Sequence, residues 1–528
     1  MKRIIQLPEI PAEHRTPVIT MLLKVIEQQH VTIQEFESEI VSLKEEIKRL
    51  KNHKQRPKIG PSKMDKQGKG GSGDQRRSSK KRKKTNKLRI DKVEIIPVKD
   101  VPAGAEFKGH DVFVVQELEI KTVNTKYKLE RWRLPNGTYL IGELPDYLKG
   151  HHFGPTLRSY ALYQYTHQGV TQPLLLDELK EWGIEISSGQ LDKLLNEDKE
   201  TFHEEKDDIL LAGLTHSDYI HVDDTGARHK GKNGYCTHIG NEFFAWFEST
   251  ASKSRINFLE LLRRNHCDYR IDENALDYLK QQGLSKEIRQ KLAAHCGTFK
   301  NKQLWELHLK NLDITRKRHC KIATEGALVG SVLSHGFNIN LAIISDDAGQ
   351  FNIFQHALCW IHAERKINEL IPMSTLQAAA ISGIRNFFWQ FYADLKAYKE
   401  APNEEWKKKL GGQFDALCGT QTCFESLNQA LKRIKRNKSE LLLVLERPEI
   451  PLHNNLSERD IRDYVKKRKV SGGTRSEKGR RCRDTFSSLK KTCKKLGIPF
   501  WAYLVDRVFE NHQIPLLPAL IQQVAVLK

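Results

Sequence analysis

The sequence predicts a multidomain α/β protein, and three observations lead there. Short β-type runs at Tyr219–Val222, Tyr235–Ile239, Phe243–Phe247 and Leu341–Ile344 are interleaved with helical stretches such as Arg255–Arg264. A heptad pattern occupies the N-terminal region. The chain has 528 residues, which at roughly 150 residues per domain makes about three to four domains. A hydrophobic content of 39% with 29% charged residues excludes a mostly disordered chain. No run approaches the ~18 apolar residues of a membrane span. Met1–Pro11 lacks the apolar stretch of a signal peptide. Nine cysteines, an odd number without a Cys-x-x-Cys pair, speak against a disulfide framework and for a reducing cytoplasm.

In chain order, the first element is a helix whose positions Ile19, Leu22, Ile26, Gln29, Ile33, Phe36, Ile40, Leu43, Ile47 and Leu50 alternate by three and four. Nine of these ten are apolar, with Glu37, Glu39, Glu46, Lys44 and Lys51 beside the seam. Residues 1–52 are therefore expected to form a coiled coil joining two or more chains, through residues 19–50. An amphipathic helix packed on its own domain is the alternative. Residues 53–90 read as a flexible basic linker, glycine-rich and then running through Lys80-Lys81-Arg82-Lys83-Lys84. Lys81, Arg82 and Lys83 are expected on DNA phosphates.

Residues 91–150 look β-rich, with an apolar run at Val112–Val115 and an Asn136-Gly137 hairpin turn between Trp132 and Tyr139. Residues 151–205 turn helical. Thr171-Gln172-Pro173 opens one helix and Ser187-Ser188 caps the next, a spacing compatible with a helix-turn-helix or an ordinary helical hairpin. The chemistry is expected in 206–480, followed by a C-terminal helical region at 481–528.

The net charge of +21 is not spread evenly. Residues 51–90 hold 16 Lys/Arg against 2 Asp, and residues 459–495 hold 15 Lys/Arg against 4 acids. Two segments carry the polyanion signal, and the rest of the chain is slightly acidic.

Two predicted strands each deliver an aspartate pair at the C-terminal end, Asp223-Asp224 and Ser345-Asp346-Asp347. Carboxylates from adjacent strand ends repel unless protonated or bridged by a cation. Hard oxygen donors suit Mg²⁺ or Mn²⁺, and two such ions can activate an attacking hydroxyl and stabilise a leaving oxygen. A third carboxylate, Glu458, stands at a predicted helix start, where Asn455 as cap and Glu458 resemble a capping box. It directly precedes Arg459, Arg462, Lys466 and Lys467, which could grip phosphates. The order strand-Asp, hairpin, helix, strand-Asp, helix-Glu fits a ribonuclease-H-like core. The spacings of 123 and 112 residues between carboxylates leave room for helical insertions near 266–335 and 370–445.

Asp223-Asp224-Thr225, Ser345-Asp346-Asp347, Cys359-Trp360-Ile361-His362-Ala363-Glu364-Arg365 and Asn454-Asn455 with Glu458-Arg459, continuing into Arg468-Lys469 and Gly472-Gly473, occur in one order. In this the chain resembles DDE-type transposases of the insertion-sequence sixty-six family over roughly residues 155–510. The resemblance implies Asp223, Asp346 and Glu458 as metal-binding catalytic triad, with Asp224 and Asp347 the fallback choices. It implies two Mg²⁺ or Mn²⁺ ions, and double-stranded DNA as partner, both element ends and target. Arg459, Arg462, Lys466, Lys467, Arg468 and Lys469 would contact that DNA. Cys359 and His362, three apart on one helix face, are expected to have a structural or positioning role, since a zinc site needs about two further ligands. The family's cysteine cluster after the coiled coil is missing, as no cysteine precedes Cys236.

The expected function is thus metal-dependent DNA strand cleavage and transfer at mobile-element ends, by a homodimer or higher homo-oligomer associated with the nucleoid of a bacterial cytoplasm and with no membrane partner. The alternative is a coiled-coil dimeric DNA-binding protein with an inactive transposase-like core.

Overall fold

A computed structural model describes residues 16–50, 89–100, 102 and 104–526, without the side chains of residues 34 and 36–50. Most of the predicted basic linker, with Lys81, Arg82 and Lys83, lies outside the described residues. The chain divides into two compact units, one ending at Lys121 and one beginning at Thr122. Among the described residues no helix is long and apolar enough to cross a membrane.

In the first unit the heptad segment is one helix, Pro17–Leu50. Leu22, Ile26 and Ile33 of the heptad seam are exposed on it. The expected β-rich module is not built as predicted. Residues 104–130 carry neither helix nor strand, and Val112, Phe113, Val114 and Val115 are exposed. An apolar run becomes a strand only where a neighbouring backbone takes its hydrogen bonds. In the second unit, Asn136-Gly137 does turn a hairpin, pairing Arg133 with Tyr139. Asn136 Oδ1 accepts the Thr138 N–H at 3.0 Å, and Gly137 takes φ +84°.

The helices expected at 155–198 are Pro155–Leu162, Gln172–Glu181 and Ser188–Asn196. Ser187 forms a capping box with Gln190. Their buried Leu162, Leu175, Leu179, Leu191 and Leu195 join the main hydrophobic core of the second unit. Helix α1, Glu200–Thr215, then leads into the central sheet.

That sheet has five strands: β1 (Tyr219–Gly226), β2 (Tyr235–Gly240), β3 (Ala245–Thr250), β4 (Ala342–Ser345) and β5 (Gln355–Leu358). Their order is β3-β2-β1-β4-β5. The first three pair antiparallel, while β4 runs parallel to β1, and β5 parallel to β4. Ile220, Val222, Ile239 and Ile343 point into the main core. Cys236, Ala245 and Phe247 face the other side, against Ile461 and Tyr464. This two-sided burial is the period of two along each strand.

Between β3 and β4 come α2 (Arg255–Leu262) and α3 (Lys317–Ser334). Helices Glu273–Gln281, Lys286–Ala293 and Lys302–Asn311 and a short hairpin pairing Tyr269 with Phe299 lie between α2 and α3. After β5 comes α4 (Trp360–Asn368), then Thr375–Glu400, Glu404–Gly419 and Glu425–Arg436. This second group has its own core, in which Trp360 meets Phe388, Phe391 and Phe414.

The chain then returns to the sheet through α5 (Asn455–Ser471) and α6 (Glu477–Lys495). Helix α6 covers the edge strand β3. Asp484, Ser488 and Thr492, spaced by four, accept the N–H groups of Ser249, Phe247 and Ala245 at 2.9, 2.9 and 3.2 Å. All three side chains are buried. One helix face thus satisfies donors that an open edge would offer to another chain.

Candidate active site

Strand geometry separates the two members of the first aspartate pair. Strand β1 does not stop at Val222 as predicted; it continues through Asp223 and Asp224 to Gly226, because β2 keeps pairing with it as far as Gly226↔Tyr235. Side chains alternate along it, so Asp223 and Asp224 point to opposite faces. Asp224 accepts hydrogen bonds from Thr237 Oγ1 at 2.5 Å and Gln350 Nε2 at 2.9 Å. The parallel ladder between β1 and β4 ends at His221↔Ile344. Extended two residues further, past the end of β4 at Ser345, the same register would bring Asp223 opposite Asp346.

The electrostatics agree with that register. Burial pushes Asp223 up to about 7, and the neighbouring charge of Asp346 adds to the rise. Lys253 offsets only part of it. Asp224 is also raised by burial, against the hydrogen bonds from Thr237 and Gln350. Asp347 turns elsewhere, to the Lys366 ammonium and to Asn437 Nδ2 at 3.2 Å.

Glu458 reaches this face because α5 is seated on the sheet by buried polar contacts. The expected cap, Asn455, is the first helical residue; Asn454 holds the N-cap position and makes no capping bond with its side chain. Its amide is spent on β1 instead. Asn454 Nδ2 donates to the Val222 carbonyl at 2.8 Å, and its Oδ1 lies 2.9 Å from His221 Nδ1. One turn along, Ser457 Oγ lies 2.8 Å from His238 Nδ1, and Asp460 Oδ2 lies 3.3 Å from His238 Nε2. Burial alone would raise Asp460, but His238 and Lys495 hold it well below the ordinary carboxylate range. Tyr464 stacks on Phe247 at 5.6 Å.

Cys359 and His362 fall on this side of the sheet. Cys359 follows β5 as the N-cap residue of α4; its N–H donates to the Ser345 carbonyl at 2.9 Å, one residue before Asp346. Its sulfur accepts the Asn454 N–H at 3.2 Å. Burial raises the thiol, as suits a packed sulfur rather than a nucleophile. His362 Nε2 lies 3.5 Å from Glu458 Oε1, with Arg365 on the same oxygen at 3.6 Å. Burial, then the charge of Arg365, lowers His362, with Asp346 and Glu458 opposing.

Of the predicted DNA contacts, Arg459, Arg462, Lys466 and Lys469 are exposed, and Arg462 lies 3.9 Å from Glu458 Oε2. Lys467 and Arg468 turn inward, Lys467 onto the Tyr165 carbonyl and Arg468 onto that of Gly226. Two cations of the second basic segment are paired with acids distant in sequence: Arg481 with Glu200, Lys478 with Glu197.

Among the described residues, the group of three His, Cys, Asp or Glu donors within 4.8 Å of one another is His266, Asp268 and His335, not the three carboxylates. Its imidazoles stack face to face at 3.4 Å, so their lone pairs run parallel instead of converging on an ion. Sequence reasoning missed the clamp formed by Asn454, His221 and Cys359. Its one visible signal was the Asn454-Asn455 pair, which reads as a helix start.

The site thus offers an aspartate on β1, an aspartate just past the end of the parallel strand β4, and a glutamate in the first turn of α5. The family model for the Transposase IS66 family matches residues 326–481, a span that includes Asp346, Cys359, His362 and Glu458. An uncharacterized protein, y4jO, of Sinorhizobium fredii (strain NBRC 101917 / NGR234) is 42% identical over 317 residues. That match covers 59% of this chain and 99% of the relative. The chain belongs to the IS66 transposase family.

Proposed function

We propose that this protein cleaves and joins DNA strands at the ends of a mobile element, using Asp223, Asp346 and Glu458 in a ribonuclease-H-like core. The observation that supports the reading is the β1–β4 register, which extended two residues past His221↔Ile344 makes Asp223 and Asp346 neighbours, with His362 between Asp346 and Glu458 in charge contact. The order β3-β2-β1-β4-β5, with its antiparallel and parallel halves, supports the core assignment.

The donor set fits a divalent cation. Two carboxylates in mutual repulsion, one raised to about 7, are hard oxygen donors short of positive charge. Asp223, Asp346 and Glu458 would hold Mg²⁺ or Mn²⁺, in all as many as two ions, which supply charge neutralisation at the attacking and leaving oxygens. The chain's own part is positioning. Asn454 and Ser457 fix the start of α5, while His362 and Arg365 lie against the Glu458 carboxylate. In the first step a water oxygen bonds to phosphorus, the P–O3′ bond breaks, and the 3′-oxygen leaves with a proton. In the second, that 3′-hydroxyl attacks a target phosphodiester and displaces its 3′-oxygen. The helix Pro17–Leu50 would pair protomers, holding two such sites together.

The test incubates the full chain with its flanking DNA termini in Mg²⁺ or EDTA. Mg²⁺-dependent nicking is expected, lost in Asp223→Asn and Asp346→Asn while DNA binding persists. Full cleavage by both variants would sink the triad. DNA retention without cleavage by the wild type would favour an inactive binder.

A further inference from the structure

Helix α5 runs on from Glu458 to Lys467. Nine residues at 1.5 Å each make this about 14 Å. There Lys467 borders a groove of about 750 Å³ between the π-helix Tyr163–Gln168, α5, the C-terminal half of α6 and Trp501. Lys490 and Lys494, on α6, border the same groove. Lys467 Nζ donates to the Tyr165 carbonyl at 2.5 Å and sits 3.6 Å from the centre of that ring. Lys490 Nζ donates to the Thr166 carbonyl at 3.4 Å. Lys494 is exposed.

These ammonium groups crowd one another. Burial lowers Lys467 to about 8, and the charge of Lys490 adds to the fall. Burial lowers Lys490 as well; Asp463 opposes, while Lys491, Lys466 and Lys494 reinforce the fall. The one carboxylate bordering the groove, Asp463, lies 2.6 Å from Lys491 Nζ. Five lysines, Lys466, Lys467, Lys490, Lys491 and Lys494, thus border one groove against a single acid, Asp463, which pairs with Lys491 and Lys466. That arrangement calls for an anion from outside. The aromatic side chains of Tyr163 and Trp501 offer apolar walls for a sugar and base edge.

We propose that this groove holds the backbone of the bound DNA strand about four nucleotides from the scissile phosphate, with Lys490 and Lys494 on consecutive phosphates. The offset follows from ~14 Å of helix against ~3.4 Å per nucleotide along one strand. It rests on the transposase reading, which places the scissile phosphate at Glu458.

The experiment measures binding of a fluorescent element-end duplex to the full chain by anisotropy across a salt series. The double variant Lys490→Ala/Lys494→Ala is expected to flatten the slope of log K against log salt by about 1.8, at ~0.9 per phosphate contact. At ~0.1 M salt this is a loss of roughly 10- to 60-fold. Lys494→Glu changes only an exposed side chain and is expected to weaken binding on its own, which separates charge from folding. Neutral methylphosphonate linkages placed singly along the strand locate the contact. They should weaken wild-type binding most about four nucleotides from the cut, and have no such effect on the double variant. Unchanged slopes in both variants, with wild-type cleavage intact, overturn the groove and leave the transposase reading standing. A wild type that neither binds nor cuts element ends overturns both.

Discussion

Asn454→Ala removes the buried amide that ties the start of α5 to β1. Two bonds go with it: the donor to the Val222 carbonyl at 2.8 Å and the partner of His221 Nδ1 at 2.9 Å. Asn454 is fully buried, so water does not replace them. Leaving such groups unpaired costs about 1–3 kcal/mol each, less for a carbonyl that keeps another partner. The expected destabilisation is about 2–4 kcal/mol, read from the midpoint of urea unfolding by tryptophan fluorescence. Pairing the variant with His221→Ala in a double-mutant cycle should give a coupling of about 1 kcal/mol. Catalysis should suffer separately. The Asn454 carbonyl accepts the Glu458 N–H at 3.4 Å, so a loosened first turn displaces Glu458 itself. A misplacement of about 1 Å costs on the order of 100-fold in rate. Single-turnover cleavage at saturating protein should fall by that order, while binding to DNA ends stays within a few-fold. Stability within about 0.5 kcal/mol of wild type, together with unchanged cleavage, would refute the clamp.

Two further outcomes follow from the same geometry. Asp347→Asn should retain most cleavage where Asp346→Asn loses it, because Asp347 is committed to Lys366 and Asn437; equal loss in both would contradict the face assignment. His203 and His356 are buried and held neutral, each lowered to about 4 chiefly by burial. A depressed folded value means that their contribution is complete above the unfolded value of about 6.5 and is lost as pH falls toward 4. Each contributes on the order of 3 kcal/mol. Unfolding midpoints should drop across that window, with less drop in His203→Gln; a flat profile from pH 7 to 4 would count against buried neutral imidazoles.

The elements that the sequence made legible were those whose periodicity is set by local burial. The runs 219–222, 235–239 and 341–344 alternate or cluster apolar residues as strands buried on both faces must. Ser187 with Gln190 announces a helix start through its own hydrogen bonds. Val112–Val115 failed for the converse reason: an apolar run is only half of a strand, and among the described residues no partner backbone is paired with it. The second basic segment misled in a similar way. Its charge reads as a single DNA-facing strip, yet α6 uses Asp484, Ser488 and Thr492 to cover β3, and Arg481 and Lys478 reach Glu200 and Glu197.

The sequence alone determined the family, the candidate carboxylates and the presence of a polyanion partner in the reading, since residue identity and order carry those. It could not choose between Asp223 and Asp224, or between Asp346 and Asp347. Adjacent residues have the same composition and the same spacing to every other motif. In the structure Asp223 and Asp224 point to opposite faces of β1 and Asp347 pairs with Lys366, and the proposed choice of Asp223 and Asp346 rests on extending the parallel register of β1 and β4 by two residues. That register is held by contacts between residues more than a hundred positions apart, and no local pattern in the chain encodes it.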